Sequence, residues 1–317
     1  MGSGHGEGTS GGTEASDTPR RVLLLAHSSR AELQEHTREV AEMLALAGVE
    51  VAVPIDQFGH YPSLRNVVPA DPTRPARGCE LVFVLGGDGT ILRGAEFSLG
   101  TGVPLLGVNF GHVGFLAEAD RSDLAHTVHR IVAADYLVED RMTLDVVARM
   151  GDRVLARSWA LNEVTVEKAA RERMIELNVE IEGRPLSTWG CDGVIVATPT
   201  GSTAYAFSAG GPVMWPDVQA VLIVPISAHA LFARPVVVGK DCHVAVELVP
   251  DTQGRGVMWC DGARPVELPD GARVEVSRSR TPVRLARLTS EPFTDRIVEK
   301  FQLPVEGWRG AARRLLE

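Results

Sequence analysis

The N-terminal part of the chain alternates continuous apolar runs with segments in which apolar positions recur at helical spacing. Residues 21–27 carry an unbroken apolar run after Arg21, which is typical of a strand buried on both faces. From residue 30 to residue 47 the apolar positions fall roughly at the spacing of an amphipathic helix, and Gly48 follows as a C-terminal cap. Residues 49–55 predict the next strand.

The same alternation continues to about residue 134. After a proline-rich loop come a strand at 80–85, a helix at 90–98, a strand at 104–108 and a helix that Ser122 or Asp123 caps. This βαββαβ order predicts an open, mostly parallel sheet with helices on both faces, in an α/β domain spanning residues 20–141. Ligands of such sheets bind beyond the carboxyl ends of the strands.

From about Met142 the pattern changes to short β-rich runs separated by turn residues. The predicted strands are residues 144–148, 159–166, 175–181, 194–198, 221–224, 244–248, 257–260, 274–276 and 283–288. They indicate a second, largely antiparallel, β-rich domain over residues 142–290, so the fold class is α/β followed by β. Residues 291–317 form a C-terminal tail, and the polar residues 1–19 predict a disordered leader.

Composition narrows the classes of function. A chain of 317 residues with 44% hydrophobic and 23% charged residues is long enough for two globular domains. The net charge of −9 argues against a general nucleic-acid binder. No apolar run approaches the roughly 20 residues of a membrane span, and the leader lacks the pattern of a signal peptide. We therefore expect a cytoplasmic protein with no nucleic-acid or membrane partner and with reduced cysteines.

The most informative motif is Gly86-Gly87-Asp88-Gly89-Thr90, which directly follows the buried strand at 80–85. Glycine lets backbone N–H groups approach phosphate oxygens without a Cβ in the way. One carboxylate in such a loop can hold a cation or take a proton from an attacking hydroxyl. Alone, the motif is equally typical of a strand-to-helix turn in which the aspartate bonds its own loop. The chain has no P-loop pattern, so any phosphate cradle is of another kind.

Further segments accompany this loop. They are Asn162-Glu163, the stretch 192–212 with Thr198-Pro199-Thr200-Gly201-Ser202-Thr203-Ala204-Tyr205, the stretch 109–116, and Pro225-Ile226-Ser227-Ala228-His229 leading to Arg234-Pro235. In content and order these segments resemble the NAD kinase family, from about residue 21 to about residue 300. The glycine loop alone is shared with lipid kinases and phosphofructokinases, whereas the Thr/Ser/Tyr segment is much more specific.

The resemblance implies phosphoryl transfer from ATP, or from inorganic polyphosphate, to the adenosine 2′-hydroxyl of NAD⁺, with Mg²⁺ or Mn²⁺. Asp88 would be the catalytic base, with Gly89 and Arg93 near the phosphates. The NAD pocket would contain Asn162, Glu163, Asp192, Thr203, Ala204, Tyr205, Ala206, Phe207 and Ser208. In the family, part of this segment comes from a neighbouring subunit, so a homodimer or homotetramer with a shared NAD site is implied. The tail folds back onto the first domain in NAD kinases, and Ile297, Val298, Phe301 and Leu303 are suited to that contact. Arg173 is a weaker candidate for a pyrophosphate contact.

Two other functions stay open at this point. A lipid kinase with the same glycine loop would explain Asp88 but not Asn162-Glu163 or the segment 203–208, and it would be expected to show a basic membrane-facing surface. A NAD-binding regulator without catalysis would not need an intact Asp88. The sequence does not decide between ATP and polyphosphate, whether NADH is accepted, or between dimer and tetramer.

Overall fold

The computed structural model describes residues 19–27, 31–61, 64–110, 114–117, 119–120, 124–170, 174–250, 255–289 and 291–305. The leader up to residue 18, Ser122, Asp123, Arg173 and the tail beyond residue 305 lie outside the described residues.

The elements of the first part are β1 (Arg21–Ala26), α1 (Ala31–Leu46), β2 (Glu50–Val53), α2 (Ile55–Phe58), β3 (Val67–Pro69), β4 (Leu81–Leu85), α3 (Asp88–Ser98), β5 (Leu105–Asn109), β6 (Ala119–Asp120), α4 (Leu124–Val132) and β7 (Leu137–Arg141). Those that follow are β8 (Leu144–Met150), β9 (Arg153–Ala160), β10 (Glu163–Lys168), β11 (Ile175–Ile181), β12 (Arg184–Cys191), β13 (Gly193–Ala197), α5 (Tyr205–Ser208), β14 (Ala220–Ile226), β15 (Val236–Gly239), β16 (Val244–Leu248), β17 (Gly256–Cys260), β18 (Arg264–Leu268), β19 (Arg273–Arg278), β20 (Val283–Arg287) and α6 (Phe293–Phe301).

The first sheet confirms the predicted α/β class. Its order is β3-β2-β1-β4-β5-β20-β7, with β6 beside β5, and its pairs are parallel except for β20 with β7. Side chains of β1 alternate between the two faces. Val22 and Leu24 pack with α1 and α4, while Leu23 and Leu25 pack with α3. Helices cover both faces because both faces of these strands are apolar.

The second part is β-rich and antiparallel, as the sequence predicted, and it consists of two sheets packed face to face. Their orders are β12-β11-β16-β19-β8-β9 and β15-β14-β13-β10-β17-β18. The shared core takes Leu177 and Val246 from one sheet and Val164 and Val196 from the other. The opposite face of the second of these sheets carries a separate apolar cluster that includes Ala206 of α5. The short helix α5 is therefore fixed on the outer face of that sheet.

Several elements differ from the sequence prediction. The predicted strand 159–166 is interrupted, since β9 ends at Ala160 and β10 begins at Glu163. The strand expected at 283–288 among those of the second domain lies in the first sheet, between β5 and β7. Alternation along a strand shows which of its faces is apolar, but it does not show which sheet accepts the strand. Helix α3 begins at Asp88 rather than at Thr90.

Helix α6 lies where the two parts of the molecule meet. The ring centroid of Phe301 is 5.7 Å from that of Phe115 and 4.6 Å from that of Phe207. Phe293, at the other end of α6, is 5.4 Å from Trp215 and 5.9 Å from Phe115. The helix contacts both parts through these rings, although none of its residues is buried. Among the described residues, no helix is long and apolar enough to cross a membrane.

Candidate active site

The glycine loop turns the buried strand β4 directly into α3, and Asp88 is the first residue of that helix. Two glycines pack closely here, Gly86 within the turn and Gly114 in the segment that follows β5. A Cβ added at Gly86 would lie 2.6 Å from Oγ1 of Thr90, and one added at Gly114 would overlap Oδ1 of Asp88. Oδ1 of Asp88 is buried and has no hydrogen-bond partner among the described residues. The carboxyl group is thus enclosed by backbone on one side and keeps one acceptor oxygen unused.

Opposing influences act on the Asp88 carboxyl. Burial raises its pKa, while the Lys300 ammonium and the backbone N–H groups of Leu116 and Phe115 lower it. Lys300 comes from α6, so the C-terminal helix brings a cation to the helix that begins with Asp88. A buried carboxylate with a raised pKa accepts a proton more readily than a solvated one.

The neighbours of Asp88 in the motif differ in what they offer a ligand. A Cβ at Gly89 would meet nothing within 4 Å, so space is open beside this backbone. Arg93 instead pairs with Asp56 at 2.9 Å and lies 5.5 Å from the ring centroid of Phe97. The contacts of Arg93 are therefore with residues outside the predicted site, and its place near the phosphates stays a prediction.

Asn162 and Glu163 form a buried turn at the start of β10. The segment 198–201 packs against it: Thr198 N–H donates to the Asn162 carbonyl at 2.9 Å. A Cβ at Gly201 would lie 2.8 Å from Cα of Asn162, so only glycine permits this approach. Two motifs that are distant in the sequence therefore share one backbone contact.

The pKa of Glu163 is raised to about 8, first by burial and then by the charge of Asp261, with a smaller contribution from Glu167. The backbone N–H of Tyr205 acts in the opposite direction. Oε2 of Glu163 is buried and has no hydrogen-bond partner within the described part of the chain. Burial therefore favours the neutral form of this carboxyl, and that form is able to donate as well as accept a hydrogen bond.

A cleft of about 320 Å³ adjoins this turn, and it is lined by Glu163, Thr165, Glu167, Tyr205, Trp259 and Gly262. Tyr205 is 38% exposed, and its ring therefore offers a flat surface at the mouth of the cleft. Burial, followed by the charges of Glu167, Asp192 and Glu163, raises the pKa of its phenol. The cleft combines an aromatic face with carboxyl groups, which suits a base next to a hydroxyl-rich sugar.

The rest of the 203–208 segment is divided between surface and core. Thr203 donates to the Thr200 carbonyl at 3.1 Å, and Ala204 precedes α5. Ala206 is fully buried and packs in the apolar cluster on the outer face of the sheet, so it belongs to the core rather than to the surface. Phe207 packs on Phe301, while Ser208 is exposed.

Asp192 lies just before β13 and forms an ion pair with Lys168, whose Nζ is 2.5 Å from Oδ1. The chain has only three lysines, Lys168, Lys240 and Lys300. Two of them face carboxylates that the sequence assigned to the site, Lys168 at Asp192 and Lys300 at Asp88. In a chain whose cations are otherwise arginines, compact ammonium groups are concentrated at these carboxylates.

Sequence reasoning missed Asp261, a buried carboxylate in the turn between β17 and β18. It accepts hydrogen bonds from the backbone N–H groups of Leu161, Asn162 and Glu163. The sequence offers only the Asp261-Gly262 pair between two β runs, which is the signature of an ordinary hairpin turn. No group of three or more His, Cys, Asp or Glu residues suited to a metal ion occurs in the described part of the chain.

Known proteins of one family match this chain over nearly its whole length. Residues 22–136 match the family model described as the ATP-NAD kinase N-terminal domain, and residues 161–288 match that of the ATP-NAD kinase C-terminal domain. The NAD kinase of Thermobifida fusca (strain YX) is 56% identical over 311 residues, which covers 95% of each chain. The NAD kinase of Leifsonia xyli subsp. xyli (strain CTCB07) is 55% identical over 298 residues, covering 92% of this chain and 97% of that one.

Solved structures agree in fold. Yeast NADH kinase complexed with NADH superimposes with a TM-score of 0.82 at 24% identity, over 92% of this chain and 90% of that chain. An NAD kinase from Archaeoglobus fulgidus in complex with ATP gives a TM-score of 0.68 at 25% identity, over 90% of this chain and 100% of that chain. The lipid-kinase alternative has no support among these matches. The chain belongs to the NAD kinase family and is a phosphotransferase that acts on NAD⁺.

Proposed function

We propose that the enzyme transfers the terminal phosphoryl group of ATP to the adenosine 2′-hydroxyl of NAD⁺, with Asp88 as the general base. The observation that carries this assignment is the buried Asp88 carboxyl, whose Oδ1 has no hydrogen-bond partner among the described residues. In the proposed step the 2′-oxygen forms a bond to the γ-phosphorus and the bond from that phosphorus to the β,γ-bridging oxygen breaks. The hydroxyl proton passes to Asp88, and ADP leaves with the electron pair of the broken bond.

We place the acceptor, NAD⁺, at the turn of Asn162 and Glu163. We assign the adenosine ribose to the turn of Asn162 and Glu163, because it presents a buried amide beside a carboxyl with an unused oxygen. Tyr205 then packs against the nucleotide from the mouth of the cleft, and Asp192 completes the pocket. The yeast relative was solved with NADH, which makes the reduced dinucleotide a second acceptor to test.

The donor is assigned to the backbone of Gly86 to Gly89, where the space beside Gly89 is open. The Archaeoglobus relative was solved with ATP, which supports ATP as the donor, and initial rates with polyphosphate in its place test the alternative. Asp88 offers one unused oxygen to a cation, and the described residues contain no group of three or more protein ligands. This fits Mg²⁺, which is usually held by one or two carboxylates together with substrate phosphates. Such a cation would neutralise charge on the transferred phosphoryl group.

The proposed test of the chemistry is Asp88→Asn, which keeps the shape of the side chain and removes the base. We expect kcat to fall by roughly 10²–10⁴-fold while the dissociation constant for NAD⁺ changes little. Asp56→Asn is the matched control, because Asp56 is an exposed carboxylate engaged with Arg93. A kcat for Asp88→Asn that equals that of the control would remove Asp88 from the mechanism.

We further propose that the enzyme is a homodimer or homotetramer in which subunits share the NAD site. Its support is the exposed apolar surface of Leu231 and Phe232, which follows β14. Mixing inactive Asp88→Asn subunits with inactive Asp192→Ala subunits should restore activity, since some sites would then combine two intact halves. No recovery after proven subunit exchange would contradict a shared site.

A further inference from the structure

The turn between β17 and β18 holds an aspartate side chain in the interior of the protein. Asp261 has a φ of 50° and Gly262 a φ of 64°, and the N–H of Ala263 donates to the Cys260 carbonyl at 3.1 Å. Positive φ at two successive residues is the geometry of a tight hairpin turn. The side chain of Asp261 is only 1% exposed, so the turn places a carboxylate in the core rather than in solvent.

This carboxylate accepts hydrogen bonds from three consecutive backbone N–H groups. Oδ1 receives those of Asn162 at 2.7 Å and Glu163 at 3.3 Å, and Oδ2 receives that of Leu161 at 3.0 Å. The backbone N–H of Asp261 in turn donates to the Glu163 carbonyl at 2.9 Å. Asp261 therefore fixes the main chain of the turn from which the side chains of Asn162 and Glu163 project.

Arg264 extends this contact to the other half of the site. Its Nη2 donates to Oδ2 of Asp261 at 2.9 Å and to the Trp159 carbonyl at 2.8 Å. Its Nη1 forms an ion pair with Glu96, and its guanidinium lies 4.7 Å from the ring centroid of Trp159. Glu96 lies on α3, about two helical turns after Asp88.

We propose that Asp261, Arg264 and Glu96 form a relay that holds the Asn162–Glu163 turn in register with the helix that begins at Asp88. On this proposal Asp261 and Arg264 are positioning residues for phosphoryl transfer. The inference rests on the proposed function, since it assumes that the turn binds the ribose and that Asp88 receives the proton.

A purely stabilising role accounts poorly for this arrangement. Partly exposed ion pairs such as Arg264–Glu96 usually add little net stability, and at the buried Asp261 carboxylate the cost of desolvation offsets much of the attraction to Arg264. The relay instead uses a rigid, planar guanidinium to join three separate elements in one geometry, and such a fork cannot be replaced by a lysine. Its two ends lie at the turn of Asn162 and on α3, the two elements that phosphoryl transfer must align.

Arg264→Lys and Glu96→Gln test the link between the two halves. We expect each to lower kcat by roughly tenfold while KM for NAD⁺ stays near the wild-type value, because the pocket survives but its alignment with Asp88 is lost. The double variant should be no worse than the poorer single variant, since both changes break the same contact. Arg273→Lys is the control, because Arg273 also joins two carboxylates, those of Glu180 and Glu247, within the other antiparallel sheet.

Asp261→Asn tests the anchor of the turn itself. The asparagine amide keeps one oxygen that accepts hydrogen bonds, but its NH₂ group faces backbone N–H groups that are also donors. The turn therefore loses part of its support, and we expect both a higher KM for NAD⁺ and a lower kcat. Thermal unfolding is measured for each variant, and all kinetics are recorded well below the transition. Wild-type kcat and KM in Arg264→Lys, Glu96→Gln and Asp261→Asn, with only a lower Tm, would overturn the proposal.

The Asp88→Asn variant separates this result from failure of the proposed function. An active Asp88→Asn enzyme would refute the role of Asp88 whatever the relay variants do. An inactive Asp88→Asn enzyme together with fully active Arg264→Lys and Glu96→Gln enzymes would refute the relay alone.

Discussion

Replacing Gly114 with alanine offers a sharp test of how the Asp88 carboxyl is positioned. The added Cβ would overlap Oδ1 of Asp88 and lie 3.1 Å from its Cγ and 3.2 Å from its Oδ2. Carbon atoms in contact prefer separations of about 3.5–4.0 Å, so the carboxyl or the segment 114–117 must move by roughly 0.5–1 Å. Displacement of a reacting group by about 1 Å can cost about 10²-fold in rate, and we expect kcat to fall by roughly 10- to 100-fold.

The assay is steady-state formation of NADP⁺ with NAD⁺ and ATP varied in turn. KM for NAD⁺ should change little, because the turn of Asn162 and Glu163 lies on other elements. Gly59→Ala is the neutral control, since a Cβ there meets nothing within 4 Å and its backbone is helical. Gly89→Ala is the informative comparison: space beside it is also open, so a loss there should appear in KM for ATP, where donor phosphates approach the backbone.

A Gly114→Ala enzyme whose kcat stays within about twofold of wild type would refute the reasoning. Such a result would mean either that Gly114 does not determine the position of the Asp88 carboxyl, or that this position does not affect the rate of the reaction. Asp88→Asn distinguishes these two outcomes.

Three further predictions follow from the charges around the site. Glu163→Ala should lower kcat/KM for NAD⁺ by roughly 10- to 100-fold with little change in KM for ATP, and the reverse pattern would place Glu163 at the donor. The pKa of Glu163 is raised from 4.5 to about 8 in the folded protein. The stability that its protonated form contributes is therefore complete below about pH 4.5 and is lost as the pH rises to about 8. Urea unfolding should therefore show Glu163→Gln gaining on wild type between about pH 5 and pH 8, and a constant difference would show that Glu163 is ionised at neutral pH. Lys300→Met should raise the pKa of Asp88 and move the acid limb of the kcat profile to higher pH, whereas Lys240→Met, the control, should leave that limb in place.

The sequence predicted those helices and strands whose residue patterns are recognisable without knowledge of their partners. The strands β1, β4 and β5 are continuous apolar runs, and the helical spacing between residues 30 and 47 corresponds to α1. The strand β20 is also predicted from its own residues, in which Val283, Leu285 and Ala286 stand between arginines, but its place between β5 and β7 depends on contacts with distant segments. Sequence periodicity holds no information on that choice of partner.

The candidate site likewise contains residues that the sequence identified and one that it did not. Asp88, Asn162 and Glu163 stand out because each belongs to a motif of several residues. Asp261 does not, since the groups that it fixes at the site are backbone N–H groups about 100 positions earlier in the chain. Any residue other than proline supplies such a group, so no pattern of side chains around residues 161–163 signals the contact.

The position of β20 also constrains how this protein is made. The first sheet has β5 in its interior. The short strand β6 pairs with the last residues of β5, Val108 and Asn109, whereas β20, which pairs with it at Leu105, follows the entire antiparallel part in the chain. During synthesis, the edge of β5 at Leu105 therefore stays open until β20 emerges, and such edges pair readily with wrong strands. Contacts so distant in sequence also form slowly. The two antiparallel sheets are synthesised before β20, so the sheet that carries the glycine loop is completed only after residues 283–287 have emerged.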